Sequence, residues 1–172
     1  KEAKSDYKIY NIGPDTGTMF LVINLNKRKS LDTNYYVQPE KQFWFNDKNF
    51  RTAIDYAIDR KSMVQNIANG LAKPLFTAES LNSIFLNKNI KGHDRDLSKS
   101  KALLKASGFH LGKNDKLYDK FNNRVEFDLL TNAGNTEREA IGVMIKQDLE
   151  DLGMRVNYKP IEFNSLVNKM TT

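Results

Sequence analysis

The residues that could carry out acid–base or nucleophilic chemistry are few and scattered along the 172-residue chain. The chain has no Cys, which excludes disulfides, zinc–thiolate sites and thiol nucleophiles. The two histidines, His93 and His110, belong to no His-Glu-x-x-His motif, and a surface position is the favoured interpretation for both. A Gly-x-Ser-x-Gly elbow and a Gly-rich phosphate loop are also absent from the sequence. We therefore expect no catalytic residues and predict that the chain is not an enzyme.

The acidic side chains do not have the spacing of a metal site. Asp115, Asp119 and Asn123 lack the ligand spacing and the central glycine of a calcium-binding loop. Glu137 and Glu139 fall at the start of a predicted helix, where carboxylates interact favourably with the helix dipole. We expect neither a bound metal nor a cofactor.

One segment is favoured as a ligand site by its place in the predicted topology. Residues 131–135, Thr-Asn-Ala-Gly-Asn, lie between a predicted strand and a long predicted helix. In open α/β sheets ligands bind outside the carboxyl ends of the strands, and a helix N-terminus adds free backbone donors and partial positive charge there. An ordinary connecting loop remains the alternative explanation. The candidate ligand contacts are Thr131, Asn132, Gly134 and Asn135.

The elements that must position this segment form a strand–helix–strand unit over residues 124–160. Apolar and polar residues alternate at both ends of the unit, which predicts two strands. Thr136 and Glu139 have the spacing of a capping box and predict the start of the helix that joins the strands. Pro160 is expected to end the second strand, and a short helix is predicted at Phe163–Met170. Such a unit normally makes two parallel strands with a right-handed crossover, so the predicted fold class is α/β.

Two adjoining helices are predicted earlier in the chain from apolar residues that recur every three or four positions. The first follows Asn46 or Asp47, either of which can cap its first turn, and the second follows Asp59 and ends at Gly70. Their apolar faces comprise Phe50, Ala53, Ile54, Ala57 and Ile58 in the first helix and Met63, Val64, Ile67 and Ala68 in the second.

A third helix is predicted at Leu97–Ser107, with Asp96 as its cap and Gly108 at its C-terminal end. The residues before it, 72–95, have no periodicity apart from a short helical turn predicted at Ser80–Leu86.

The remaining segments are predicted as one strand and several loops. Thr18–Leu25 is rich in β-branched and aromatic residues and predicts a buried strand, whereas Asn26–Gln42 has no period and predicts a loop. Residues 1–17 form a polar lead-in with a turn predicted at Gly13-Pro14-Asp15. A hairpin turn is predicted at Asn122-Asn123.

The net charge of +6, from 27 Lys and Arg against 21 Asp and Glu, does not by itself indicate a nucleic-acid binder. Acidic residues are interspersed with the basic ones, and Lys27-Arg28-Lys29 is the only run of three basic residues. A nucleic-acid surface usually clusters Lys and Arg with aromatic residues between them. A solvated surface is the favoured explanation of the charge, and a nucleic-acid-binding module is a distant alternative.

The longest apolar runs are far shorter than the roughly 20 residues that a membrane-spanning helix needs.

Four blocks of the sequence resemble, in order, the signatures of the family 5 extracellular solute-binding proteins, which are the oligopeptide, dipeptide and nickel receptors of ABC importers. The blocks are Phe45–Arg60, similar to F-N-D-x-x-V-R-x-A-I-x-x-A-I-D-R; Asn69–Pro74, similar to G-x-x-x-P; Asp96–Phe109, similar to D-x-x-K-A-K-x-L-L-x-x-A-G-[YF]; and Asn135–Gly153, similar to N-x-x-R-x-x-x-x-x-x-I-Q-x-x-L-x-x-[IL]-G. The signature positions are Asn46, Arg51, Asp59, Arg60, Gly70, Asp96, Gly108 and Gly153. Capping and packing explain these positions better than ligand contact does.

The resemblance implies one lobe of a periplasmic-binding-protein-like (type II) fold, with a mixed sheet and flanking helices. Receptors of this family close two lobes on a ligand. Residues 18–172 are expected to form most of the second lobe, truncated on its C-terminal side, after the lead-in at 1–17. The implied function is substrate binding for a bacterial ABC importer of oligopeptides. The implied partners are a peptide, the permease transmembrane subunits and the first lobe of the same polypeptide. The implied location is extracytoplasmic, with membrane contact only through an anchor in the full-length protein.

One departure from the family pattern bears on the ligand. The dipeptide-binding branch places an Arg near the position of Asn132, where it holds the ligand carboxylate, whereas Asn132 is uncharged. This difference argues against a strict dipeptide receptor. Nickel chelates, sugars and signalling peptides remain alternative ligands within the same receptor class.

Overall fold

The computed structural model describes residues 8, 10, 12, 13 and 17–171. Within these residues a 3-10 turn at Lys113–Asp115 separates two short strands, and from Glu126 onward strands and helices alternate. The elements are α1 (Pro39–Asn46), α2 (Lys48–Ala57), α3 (Arg60–Asn66), α4 (Leu97–Ala106), β1 (His110–Leu111), β2 (Leu117–Tyr118), β3 (Glu126–Asn132), α5 (Thr136–Glu150), β4 (Arg155–Ile161) and α6 (Phe163–Thr171).

β3 and β4 form a parallel ladder, and α5 connects them and packs on both. This confirms the predicted strand–helix–strand unit, including its parallel pairing. Phe127, Leu129 and Val156 are buried, as the alternation of apolar and polar residues predicts. Ile145 and Leu149, on the inner face of α5, pack in the same core.

Pro160 does not end the second strand, so that expectation is wrong. It lies within β4, opposite Thr131 of β3. Proline lacks a backbone N–H and is tolerated where a strand edge needs no donor. In the described part of the chain β4 pairs only with β3, which leaves its other edge without a ladder.

α2 and α4 pack against each other and add a helical layer to this core. The predicted apolar face of α2, from Phe50 to Ile58, is buried throughout. Ser100 of α4 is also buried, and its Oγ donates to the Ala53 carbonyl oxygen at 2.8 Å. Ser100 is therefore small enough to lie where the two helices meet, and its buried hydroxyl has a hydrogen-bond partner there. The predicted inner stripe of α3 is only half-buried.

The helix caps follow the sequence signals closely. Asp47, Asp59 and Asp96 each accept a hydrogen bond from a backbone N–H three residues later, at 2.8–3.0 Å. Gly70 and Gly108 have positive φ angles of 77° and 83° just past their helices, as predicted. Asp47, rather than Asn46, is therefore the cap of α2.

The predicted capping box of α5 is wrong by one residue. Asn135, not Thr136, is the N-cap, and its Oδ1 accepts from the Arg138 N–H at 2.9 Å. The Glu139 carboxylate accepts instead from the Gly134 N–H at 2.7 Å. Side chains therefore accept hydrogen bonds from two backbone N–H groups at the start of α5. The capping residue is Asn135 rather than the predicted Thr136.

Two further local predictions need correction, and a third is confirmed. The loop predicted at Asn26–Gln42 ends early, because Pro39 begins α1, where a missing N–H costs nothing. Residues 80–86 form turns rather than a helix. The hairpin turn predicted at Asn122-Asn123 is confirmed, because Asn122, at φ 63°, lies in a turn that brings Tyr118 beside Arg124 in an antiparallel bridge. The β1–β2 hairpin, which the sequence did not predict, reverses at the 3-10 turn.

Residues 18–25 form no strand, so the predicted buried strand is wrong. All of them except Ile23 are exposed, and within the described residues no segment forms a ladder with them. β-branched and aromatic residues favour a strand only where a neighbour supplies backbone partners. The turn predicted at Gly13-Pro14-Asp15 and most of the 1–17 lead-in lie outside the described residues.

Candidate functional site

The carboxyl ends of β3 and β4 meet at one edge of the ladder because the strands are parallel. The Ala133 N–H donates to the Ile161 carbonyl oxygen at 2.7 Å, which extends the pairing beyond the last residue of β3. α5 and α6 begin directly after the two strands, so two helix N-termini lie at the same edge. Helix N-termini carry backbone donors that have no partner within the helix. We refer to residues 131–139 and 161–165 as the carboxyl edge.

Asn132, the last residue of β3, is only 8% exposed and is held by a charged side chain. Its Oδ1 accepts a hydrogen bond from Arg138 Nη1 at 2.8 Å. Arg138 lies in the first turn of α5 and is exposed. A guanidinium has five N–H donors, so one bond to Asn132 leaves donor capacity for an anion or a carbonyl oxygen. The pair thus brings a positive charge to the end of the strand.

Arg138 is not among the predicted contacts, although it is the Arg of the Asn135–Gly153 block. Asn132 was expected to leave this position uncharged, but the guanidinium reaches the same strand end from the neighbouring helix. A signal was present, because a cation in the first turn of a helix opposes the helix dipole and costs stability there. A cation in that position points to a role outside the helix itself.

The other predicted contact residues lie together, with different local roles. Thr131 is half-buried in β3, and Gly134 is exposed with a φ of 84° and no atom within 4 Å of the place where a Cβ would stand. Its backbone can therefore be approached closely by another molecule. Asn135 is the cap of α5, so its side-chain oxygen is already engaged.

Carboxylates complete the carboxyl edge on both sides. Glu139 binds the Gly134 N–H, and Glu162 accepts from the Asn164 and Ser165 backbone N–H groups, each at 2.9 Å. These two backbone hydrogen bonds lower the pKa of Glu162 below its usual value. The edge therefore offers a guanidinium, carboxylates and backbone groups within a short span of chain. Such a set of groups suits the binding of a polar ligand that carries charges of both signs.

His93 lies in a second cluster that the sequence did not predict. Its side chain is 22% exposed, so His93 is half-buried, whereas His110 is exposed as expected. The ring stacks on Tyr56 with centroids 3.9 Å apart, and Nε2 lies 2.7 Å from Asp55 Oδ2. Arg60 pairs with the same carboxylate.

These contacts attach the irregular segment before α4 to α2 and α3. Phe76 packs on the His93 ring with centroids 5.1 Å apart, beside a cleft of about 240 Å³ that Arg60 and Arg95 also line. A Cβ on Gly92 would lie 2.5 Å from the Phe76 ring, so the close approach requires glycine there. The cluster is fully explained as packing between neighbouring segments.

Asp119 is buried and saturated with hydrogen-bond donors, which explains it without a metal. Its Oδ2 accepts from Trp44 Nε1 at 2.8 Å and from Asn123 Nδ2 at 3.0 Å, and its Oδ1 accepts from the Phe121 and Asn123 backbone N–H groups. Among the described residues no group of three or more His, Cys, Asp or Glu could hold a metal ion. No helix in the described part of the chain is long and apolar enough to cross a membrane.

Asp148 of α5 is a second buried carboxylate with a structural role. It accepts the Asp59 backbone N–H at 2.9 Å and lies 3.0 Å from Arg95 Nη2, so it joins α5 to the junction of α2 and α3. Burial raises the pKa of Asp148, since a charge is costly in this environment. Among the signature positions, Arg51 donates to the Phe45 carbonyl oxygen at 2.7 Å, which is again an internal contact.

Comparison with known families gives a match over the whole chain. Residues 1–172 match the family described as bacterial extracellular solute-binding proteins, family 5 Middle. The oligopeptide-binding protein AppA of Bacillus subtilis is 32% identical over 133 residues, which cover 76% of this chain and 24% of AppA.

Two solved structures have the same fold over most of the chain. AppA from Bacillus subtilis in complex with a nonapeptide has a TM-score of 0.69 and 31% identity, covering 76% of this chain and 26% of that one. The oligopeptide-binding protein from Thermus thermophilus complexed with a pentapeptide has a TM-score of 0.64 and 30% identity, covering 69% of this chain and 20% of that one. The chain thus spans about a quarter or less of the length of these relatives.

Proposed function

Because this chain belongs to family 5 of the bacterial extracellular solute-binding proteins, whose members are receptors rather than enzymes, we propose that it is one ligand-binding lobe of an oligopeptide receptor. The receptor serves an ABC importer and acts outside the cytoplasm. Residues 18–172 supply most of this second lobe, truncated on its C-terminal side, 1–17 lead into it, and the opposing lobe comes from the rest of the polypeptide. We refer to that whole polypeptide as the complete receptor.

The observation that carries the proposal is the arrangement of the carboxyl edge. Arg138 and Asn132 form a polar, positively charged pair at the end of β3, next to the exposed backbone of Gly134. A peptide carries carbonyl oxygens, N–H groups and charged termini whatever its side chains are. Backbone groups and a guanidinium can therefore bind many peptides without strict sequence preference. Thr131, Asn132, Gly134 and Asn135 remain the predicted contacts, and Arg138 joins them.

The relatives support oligopeptides over the alternative ligands. The proteins at 30–32% identity are named as oligopeptide-binding, and two were solved with a pentapeptide or a nonapeptide. A nickel chelate, a sugar or a signalling peptide would require a different set of contacts. Mass spectrometry of the ligand that remains bound through purification of the complete receptor distinguishes these possibilities.

The mechanism involves binding and closure without any covalent step. The ligand contacts both lobes, so it stabilises the closed arrangement by its differential affinity for that state. Closure takes place at the connections between the lobes, as in other hinge-closing receptors. The permease subunits then recognise the closed form. Each lobe alone provides only part of the contacts with the ligand.

The proposal is tested by calorimetric titration of the complete receptor with a pentapeptide. Arg138→Ala and Asn132→Ala are each expected to weaken binding by about tenfold or more, because hydrogen bonds to charged groups contribute roughly 1.5–3 kcal/mol. Arg155→Ala is the matched control, since Arg155 is an exposed arginine at the amino end of β4. Asn135→Ala is interpreted only with a stability measurement, because Asn135 also caps α5. Unchanged affinity in both the Arg138 and Asn132 variants would remove the carboxyl edge from the proposed site.

A further inference from the structure

Both ring nitrogens of His93 face oxygen atoms. Nε2 lies 2.7 Å from Asp55 Oδ2, and Nδ1 lies 3.1 Å from the Asp94 carbonyl oxygen. A neutral imidazole has one N–H donor, whereas a protonated ring has two. Only the protonated ring can therefore donate to both oxygens, and a neutral ring leaves one nitrogen lone pair facing an oxygen. Histidine is the side chain whose charge ordinarily changes between about pH 5 and 8.

The aromatic rings beside His93 also favour a positive charge on it. The His93 ring stacks on Tyr56 with centroids 3.9 Å apart and packs on Phe76 with centroids 5.1 Å apart. The face of an aromatic ring is electronegative and attracts a cation. A protonated His93 therefore gains an electrostatic attraction to both rings, in addition to the packing that either protonation state provides.

Cations on two neighbouring helices limit this preference. Arg60 of α3 pairs with the other oxygen of the Asp55 carboxylate, and its Cζ lies 4.9 Å from the centroid of the Phe76 ring. Lys99 of α4 lies over Tyr56, and its Nζ donates to the Tyr56 hydroxyl at 2.6 Å. The carboxylate that His93 contacts is thus already paired, so protonation of the ring contributes about as much as one hydrogen bond.

The other charged groups around the cluster are paired with one another. Asp94 and Lys61 form an exposed ion pair at 2.6 Å. Arg95 pairs with Asp148 and Asp151 of α5 at 3.0 and 2.6 Å. Asp59, which lines the same cleft, caps α3. Asp55 is therefore the acidic side chain that responds to the charge on His93.

The contacts of His93 attach an irregular segment, residues 72–92, to α2 and α3. Backbone hydrogen bonds in this segment are local, such as that from the Ser83 N–H to the Ser80 carbonyl oxygen at 3.0 Å. Such bonds shape the segment without joining it to a helix. Phe76 reaches the helices through the His93 ring and Arg60. The position of the segment therefore depends on how firmly His93 is held.

We propose that His93 is a pH-sensitive latch, which holds residues 72–92 against α2 and α3 when protonated and loosens them when neutral. The protonated ring makes both hydrogen bonds, so its contribution to stability is present at acidic pH and is lost as the pH rises and the ring loses its proton. The latch itself does not depend on the proposed function. Only its use does, because a receptor outside the cytoplasm experiences the pH of its surroundings.

Hydrogen exchange of the complete receptor without ligand, measured by mass spectrometry at about pH 5.5 and 8.5, tests the latch on both sides of the histidine range. The exchange rate of residues 80–90 is divided by that of β3 in the same sample, so that the general effect of pH on amide exchange cancels. We expect this ratio to be about fivefold higher at the higher pH, which is the change that one net hydrogen bond provides. An equal ratio at both pH values would overturn the proposal.

Substitution of each histidine separates the latch from other titrating groups. His93→Gln keeps a polar side chain but cannot be protonated, so its exchange ratio is expected to be the same at both pH values. His110→Gln is the matched control, because His110 is the other histidine of the chain and is exposed, and it should keep the full change. A full change in His93→Gln, or loss of the change in His110→Gln, would overturn the proposal.

Asp55→Asn provides a second variant that keeps the His93 ring. Its amide carries no charge and is a weaker acceptor than a carboxylate, so the exchange ratio should change by less than about twofold between the two pH values. A change as large as in the original receptor would contradict the role of Asp55. The Tm of each variant at both pH values shows whether the compared samples are folded. Peptide affinity is measured separately, so a receptor that has the latch but binds no peptide would refute the proposed function alone.

Discussion

At the residue scale, the buried Asp119 carboxylate shows how charge is accommodated in this core. Burial desolvates the carboxylate and by itself raises its pKa. The hydrogen bonds from the Trp44 indole, from the Asn123 side chain and from two backbone N–H groups outweigh that effect, and the pKa of Asp119 lies below its usual value. The charged form is therefore the one that the fold stabilises.

Asp119→Asn is expected to lower the free energy of unfolding at pH 7 by about 2–4 kcal/mol. The new amide N–H2 group would face donors from Trp44 or from the 121–123 backbone, where the carboxylate accepted hydrogen bonds. Urea unfolding followed by the fluorescence of Trp44, the single Trp of the chain, measures the change. Asp32→Asn is the control, since Asp32 is exposed, and we expect little effect from it.

The pH dependence of the same pair has a definite sign. Because the folded pKa of Asp119 is lower than the unfolded one, its contribution is present above the unfolded pKa of about 4 and is lost as the pH falls through the folded pKa. The stability difference between the original chain and Asp119→Asn should therefore shrink as the pH falls below about 4. A difference that stays constant over that range would contradict this account of Asp119.

Local partners at the residue scale could be predicted from the sequence, but distant ones could not. Asp59 and Asp96 precede their helices directly, so their capping role follows from position alone. Asp119 and Trp44 are 75 residues apart, and only the folded chain brings them together. Arg138 and Asn132 are close in sequence, yet their contact depends on how α5 follows β3.

At the scale of elements, the contact between α5 and β4 positions the carboxyl edge. Gly142 is buried in α5, and a Cβ on it would lie 2.5 Å from the Tyr158 ring of β4. The Tyr158 hydroxyl donates to the Glu139 carbonyl oxygen at 3.1 Å, near the start of the helix. The start of α5, which contains Arg138, is therefore held at a fixed distance from β4.

Gly142→Ala is expected to destabilise the chain by about 1–2 kcal/mol, although alanine is the better helix former by about 1 kcal/mol. The Cβ would push α5 away from Tyr158, so the peptide affinity of the complete receptor should fall as well. Urea unfolding and calorimetry measure the two effects. Val143→Ala, at the exposed neighbouring position, should leave both quantities nearly unchanged. A Gly142→Ala variant as stable as the original would show that the close approach is not needed.

Elements with their own signals could be predicted, whereas elements that depend on distant chain could not. α4 and α5 combine a cap, an apolar face and a terminal glycine, α2 combines a cap and an apolar face, and the sequence predicts all three. α1 has a weak apolar face, and the lack of periodicity around Pro39 predicts a loop, although proline suits the first turn of a helix. Residues 18–25 have a strand composition, but a strand also requires a neighbour.

At the scale of the whole molecule, the exposed apolar surface agrees with the short span of the match. The match covers about a quarter of AppA, and apolar side chains such as Leu71 and Phe85 are exposed to solvent. Together these facts explain why the core of residues 1–172 is well formed around β3, α5 and β4 but incompletely covered elsewhere. The carboxyl edge is likewise one side of a cleft that the other lobe completes, under the proposed function.

The central claim is that this chain contributes one side of a two-lobe peptide site. Calorimetric titration of a pentapeptide into the complete receptor and into residues 1–172 alone tests it most directly. We expect the complete receptor to bind at micromolar or lower concentration and residues 1–172 to show no binding in that range, because the contacts of the opposing lobe are missing. Micromolar or tighter binding by residues 1–172 alone would contradict the two-lobe account.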